Sequence, residues 1–80
     1  MTTIRFYGRA GADLGRQIEH SIPDGGCTVA ELRRSLARHH PEAGLLNSGL
    51  RACVGDTIVD DDHEVRESDE VEFFPPLSGG

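Results

Sequence analysis

Pro23-Asp24-Gly25-Gly26-Cys27-Thr28-Val29-Ala30-Glu31-Leu32-Arg33-Arg34-Ser35-Leu36 carries a turn, a helix start and a helix in one continuous run. The Pro-Asp-Gly-Gly portion is a strong turn signal. Thr28-Val29-Ala30-Glu31 is a T-x-x-E capping box, in which each end residue satisfies the other's free backbone donor. Cys27 and Leu32 stand where a hydrophobic staple would close over that box. Val29, Leu32 and Leu36 recur at i, i+3 and i+7, with Arg33, Arg34 and Arg38 placed opposite them. The spacing predicts an amphipathic helix of about three turns, stopped by Pro41. Arg33, Arg34, Arg38, His39 and His40 load its C-terminal half, which complements the helix dipole.

Outward from the helix, the pattern changes period. Residues 2–7 alternate, with Ile4 and Phe6 on one face and Arg5 and Tyr7 on the other, as in a half-buried strand. Glycines punctuate the next stretch, with a helical turn expected over 11–14. Residues 17–22 alternate again and put Ile18, His20 and Ile22 on one face. After the helix, residues 50–54 read as a strand with Leu50, Ala52 and Val54 inward. Gly55-Asp56 turns into a short strand over Thr57–Val59. Asp60-Asp61-Asp62 and Ser68-Asp69 bracket an expected loop in which Val65 is the only apolar residue. Residues 70–74 form the last strand, with Val71 and Phe73 inward, and Pro75-Pro76 ends it because neither proline can donate to a ladder. Two strands, a helix and three more strands pack most economically as a mixed five-stranded sheet with one main helix on one face. That α+β arrangement is the β-grasp, or ubiquitin-like, fold.

Eighty residues are the size of one small domain. Leu, Ile, Val and Phe number 19, just above the level that signals disorder. A core this small leaves little room for a deep internal active site, so recognition or carriage is favoured over self-sufficient catalysis. The formal net charge is −6, and all eight basic residues are arginines. Net negative charge repels phosphate backbones and argues against nucleic-acid binding. No apolar run approaches the ~20 residues that span a bilayer, and no signal-like segment opens the sequence, so no membrane association and a cytoplasmic location are expected. Cys27 and Cys53 form no C-x-x-C pair and are expected as thiols.

The chemistry lies at the end. Two prolines favour a stiff extended exit, and four further residues, Leu77-Ser78-Gly79-Gly80, reach on the order of 13 Å. The last two lack side chains, so they can thread a narrow channel where backbone must approach closely. The division expected is a folded domain over 1–76 and a flexible tail over 77–80, with the α-carboxylate of Gly80 as the reactive group. A carboxylate is a poor electrophile, and this sequence has no phosphate-binding loop, so activation to an acyl-adenylate falls to a partner.

The segment Asp69-Glu70-Val71-Glu72-Phe73-Phe74-Pro75-Pro76-Leu77-Ser78-Gly79-Gly80, with Ile4-Arg5-Phe6-Tyr7 and Ala52-Cys53-Val54, resembles the small, sulfur-carrier subunit of molybdopterin synthase. Thiazole-pathway carriers share the Gly-Gly but usually lack the Phe-Phe-Pro-Pro lead-in. The resemblance implies that a ubiquitin-activating-type adenylyltransferase adenylates Gly80 and that a thiocarboxylate is then formed. The ATP and Mg are used by that enzyme, with no cofactor bound here. It implies a sulfur donor such as a cysteine desulfurase or rhodanese. It also implies a large synthase subunit that holds the main catalytic residues and builds the dithiolene from a cyclic pyranopterin. Gly79 is then the spacer. Cys53-Val54-Gly55 and residues 11–14 depart from the usual family pattern. Other carrier pathways (thiazole, cysteine, tRNA thiolation) and a protein modifier or interaction module remain alternatives at this point.

Strand parity points Tyr7 and Phe74 away from the helix, as neighbours in one patch, and Ile58 is expected to point the same way. Together with Phe74, Pro75, Pro76, Leu77 and Ser78, these residues form the expected partner-binding surface. Charge is uneven: residues 1–55 hold seven arginines and five acids, whereas 56–80 hold Arg66 and nine acids. Such an acidic flank can steer encounter with a basic partner. The run Asp60-Asp61-Asp62-His63-Glu64 lacks the spaced ligands and turn glycine of a calcium loop, so no metal site is expected. His20 reads as a packed residue, and Cys27 as a staple.

Overall fold

The computed structural model describes residues 1–8, 17–41 and 49–76. The expected helical turn over 11–14 and the tail residues Leu77, Ser78, Gly79 and Gly80 lie outside them. The first strand, β1, is Thr2–Phe6, and β2 is Gln17–His20. A two-residue strand, β3 (Cys27–Thr28), leads into α1 (Val29–His39). Then come β4 (Arg51–Val54), β5 (Thr57–Val59), β6 (Glu64–Val65) and β7 (Val71–Phe74).

Five strands join in the order β2-β1-β7-β4-β5. β1 and β7 are parallel, and the other pairs are antiparallel. This mixed sheet, with α1 against one face, is the β-grasp fold. The expected alternation holds: Ile4, Phe6, Ala52, Val54, Val71 and Phe73 are buried in one cluster with Val29, Leu32 and Leu36 of the helix. At its centre the Phe6 and Phe73 rings stack with centroids 5.6 Å apart. They face each other because Phe6 is the register partner of Phe73. The β4–β5 hairpin turns through Gly55 and Asp56, both at positive φ, the conformation that matches the twist of paired strands.

The capping box forms as read. The Glu31 amide donates to Thr28 Oγ1 at 3.1 Å, and the Thr28 amide donates to Glu31 Oε1 at 2.8 Å. Those bonds hold the Glu31 carboxyl below its ordinary pKa. Cys27 and Leu32 are both buried, as a staple requires. Cys27's thiol is pushed up by burial, so proximity to the helix N-terminus does not dominate there.

Three expectations are corrected. The loop between Asp60 and Asp69 contains β6, which pairs with β3 as a second, two-stranded sheet, with Val65 opposite Cys27. The carbonyls of His63 and Asp61 also accept the amides of Val29 and Ala30. Donors at the helix start that lack an intrahelical partner are thereby satisfied from outside the helix. Second, β2 ends at His20, and Ile22 is buried beyond the sheet. Third, Arg33 does not stand free on the solvent face. Its guanidinium lies 5.2 Å over the Phe73 ring, and Nε donates to Asp61 Oδ1 at 2.9 Å. A guanidinium can stack on an aromatic face while pairing with a carboxylate, so polarity alone misplaced it.

Candidate functional site

The face of the sheet opposite α1 is set by the same alternation that fills the core. Arg5, Glu72, Cys53 and Ile58 follow one another across β1, β7, β4 and β5 in register. One step towards the end of β7, Phe74 stands opposite Arg51. Tyr7 joins that second row, because its amide donates to the Phe73 carbonyl at 2.9 Å and carries the β1–β7 pairing past the end of β1. Tyr7 is 47% exposed, Ile58 61% exposed and Phe74 half-buried. The three apolar residues expected on this face are therefore on it, with Tyr7 and Phe74 adjacent. Ile58 sits two strands away from Phe74's strand.

Glu72 organises the polar part of this face. Its Oε2 accepts from the Tyr7 hydroxyl at 3.1 Å and lies 3.9 Å from Arg5. The hydrogen bond to the Glu72 carboxylate is the main cause that raises the Tyr7 pKa. Arg5 Nε also donates to Gln17 Oε1 at 3.4 Å. Cys53, buried between Ile58 and Glu72, was not singled out for this face. The parity of Leu50, Ala52 and Val54 was the signal that places it there. Burial raises its thiol pKa.

The chain leaves β7 through Pro75 and Pro76, both exposed. Gly8 backs this exit. It has φ +73°, and a Cβ there would lie 3.1 Å from Pro75 Cγ. The Pro75 ring thus rests against bare backbone, which aims the segment after Phe74 along the end of β1. Gly8 was not expected in this role, and its only sequence signal is a glycine directly after the first strand.

On the helix side, His20 Nε2 and Ser35 Oγ share a hydrogen bond of 2.9 Å, and the His39 ring meets His20 edge-on at 5.4 Å. His39 Nδ1 donates to the Ser35 carbonyl at 2.8 Å. His20 is the packed residue the alternation implied. Among the described residues no group of His, Cys, Asp and Glu is arranged to hold a metal ion. No helix among them is long and apolar enough to cross a membrane.

A family model described as the ThiS family matches residues 5–80. The chain belongs to the ThiS family. It is 44% identical over 55 residues to the Escherichia coli molybdopterin synthase sulfur carrier subunit, covering 66% of this chain and 68% of the relative. Among solved structures, the Pyrococcus furiosus putative molybdopterin converting factor subunit 1 superposes with a TM-score of 0.80 at 20% identity, over 95% of this chain and 97% of that one. Haloferax volcanii small archaeal modifier protein 1 gives 0.77 at 17%, over 95% and 97%. The Helicobacter pylori complex of subunits 1 and 2 of molybdopterin-converting factor gives 0.66 at 16%, over 99% and 97%. At these identities the superpositions establish the ThiS-family chain's β-grasp fold.

Proposed function

We propose that this ThiS-family chain is a sulfur carrier for molybdenum cofactor biosynthesis and acts as the small subunit of a molybdopterin synthase. The observation that carries this reading is the 44% identity to the E. coli sulfur carrier subunit. The Phe73-Phe74-Pro75-Pro76 exit and the outer face around it supply the means. Residues 1–76 form the folded body, and Leu77, Ser78, Gly79 and Gly80 form the tail that enters a partner's site.

The Gly80 carboxylate attacks ATP held by an adenylyltransferase, and pyrophosphate leaves. A donor's persulfide then displaces AMP to give an acyl disulfide, and a second thiol cleaves it, so that the donor leaves as a disulfide and the thiocarboxylate delivers its sulfur to the pyranopterin precursor on the large subunit. Gly79 keeps the path to Gly80 narrow. Tyr7, Ile58, Phe74, Pro75 and Pro76 dock the adenylyltransferase and the large subunit in turn by apolar burial. The Helicobacter complex of subunits 1 and 2 supports the large subunit as a partner.

Intact mass after incubation with ATP, a sulfur donor and the cognate adenylyltransferase tests the reading. The expected product has one oxygen replaced by sulfur, and deletion of Gly80 abolishes it. An unchanged mass, with an enzyme active on another carrier, overturns the proposal. Amide adducts on other proteins' lysines with no sulfur gain would assign the chain to the modifier class instead.

A further inference from the structure

Tyr7 is tied to β7 twice. Its amide donates to the Phe73 carbonyl at 2.9 Å, and its hydroxyl donates to Glu72 Oε2 at 3.1 Å. Those bonds set Gly8, one residue further on, beside Pro75. Gly8 has φ +73°, and a Cβ placed there would meet one neighbour above all. Chain neighbours aside, the three nearest heavy atoms among the described residues are Pro75 Cγ at 3.1 Å, Cδ at 3.2 Å and Cβ at 3.9 Å. Gly25 and Gly55 also have positive φ, but a Cβ at either meets nothing within 4 Å among the described residues. Turn geometry alone asks for glycine at those two positions. At Gly8 the Pro75 ring asks for it as well.

A direction given to the chain at Pro75 is kept. Proline fixes its own φ, and the residue before a proline is confined to extended backbone. Both rules act on Pro75, because Pro76 follows it. Gly80 comes five residues after Pro75, and a partner that docks the folded body must find its carboxyl inside the partner's own site. A narrow range of exit angles raises the share of docked complexes in which it does, since the ordering cost is met before binding.

We infer that Gly8 is a positioning residue for the chemistry at Gly80: its bare backbone seats the Pro75 ring at the end of β1 and so holds the exit angle at which the tail enters a partner's site. This rests on the reading that Gly80 is activated. The effect of Gly8 passes through Pro75. A Cβ at position 8 is too close to Cγ and Cδ, so the ring must give by a few tenths of an ångström. Tyr7, Phe74 and Ile58 stay where they are, so the loss falls on the rate and not on affinity.

The test charges the full chain with ATP, a sulfur donor and saturating cognate adenylyltransferase, following the gain of sulfur over time by intact mass. Titration calorimetry without ATP gives the affinity. Wild type is compared with Gly8→Ala, Gly8→Asn, Pro75→Ala and the double variant of Gly8→Ala with Pro75→Ala. Gly8→Ala and Gly8→Asn should each slow charging by at least about tenfold, with Kd within about threefold of wild type. Asn enters left-handed backbone more readily than Ala. Gly8→Asn should therefore keep the higher urea midpoint at a similar loss of rate, which separates the ring contact from backbone strain. Pro75→Ala removes Cγ and Cδ, so adding Gly8→Ala to it should slow charging by no more than about twofold further. Wild-type rates in both Gly8 variants, or a tenfold loss that persists on Pro75→Ala, overturns the inference while the carrier reading stands. A wild type that gains no sulfur, beside a control carrier that does, overturns the carrier reading and the inference with it.

Discussion

His20 ties β2 to α1 through a contact whose strength depends on pH. Burial lowers its pKa, and the neighbouring His39 and His40 lower it further. The folded value therefore lies below the ordinary histidine value of 6.5. The unfolded chain binds the extra proton first, so stability is full above that value and falls as pH drops towards the folded one. Urea midpoints should fall between about pH 7.5 and about pH 5.5 in wild type, and the fall should be smaller in His20→Gln. Equal slopes in the two proteins would remove His20 as the cause. Gly26 is a second single-residue constraint. It has φ +89°, and a Cβ there would lie 2.7 Å from the Val65 carbonyl oxygen. Gly26→Ala should cost about 2 kcal/mol, from left-handed backbone and the displaced β6 together. Chemical denaturation measures this directly, and a loss below about 0.5 kcal/mol would mean the turn relaxes freely.

α1 is held at its start by side chain and backbone alike. Thr28 and Glu31 cap each other, while Asp61 and His63 lend carbonyls from the acidic segment. Thr28→Ala should cost about 1 kcal/mol, seen as a lower urea midpoint with an unchanged slope. Arg33 then fastens the middle of the helix to both Phe73 and Asp61. Its side chain is only 17% exposed, so loss of stem packing adds to loss of charge. Arg33→Ala should cost about 1–2 kcal/mol, with most of it surviving in an Asp61→Ala background, because an exposed ion pair contributes little. A cycle in which the whole effect vanishes with Asp61 would assign the stabilisation to the ion pair.

The whole molecule presents two unlike faces. Among the described residues, one sheet face is covered by α1, and the other carries Tyr7 and Phe74 beside the exit and Ile58 two strands away. Ile58→Thr and Phe74→Thr should each weaken binding to the adenylyltransferase or large subunit by about tenfold. For Ile58→Thr, stability should change by less than about 0.5 kcal/mol, since the residue is exposed in wild type. Titration calorimetry with each partner reads the affinity. Unchanged affinity in both variants would exclude this face as the docking surface.

The local elements were legible in the sequence because each rests on near neighbours. Alternation in residues 2–7 and 70–74, the Thr28–Glu31 box and the Val29, Leu32, Leu36 spacing are contacts within a turn or a strand. They fix which side of each element is apolar, and hence that Tyr7 and Phe74 share the outer face. The β3–β6 pair was not legible, because two residues within a charged stretch carry no period. Their pairing depends on where α1 sets Cys27. Arg33 over Phe73, Gly8 against Pro75 and Cys53 beside Glu72 were equally out of reach, although parity did place Cys53 on the outer face. Each joins residues far apart in the chain, and only the seating of β7 between β1, to which it is parallel, and β4, to which it is antiparallel, and the packing of α1 on that sheet bring them together. The sequence alone set the segments, their apolar faces and the reactive-looking end. The tertiary structure decided what surrounds the exit, since register between distant strands is a property of packing and not of local pattern.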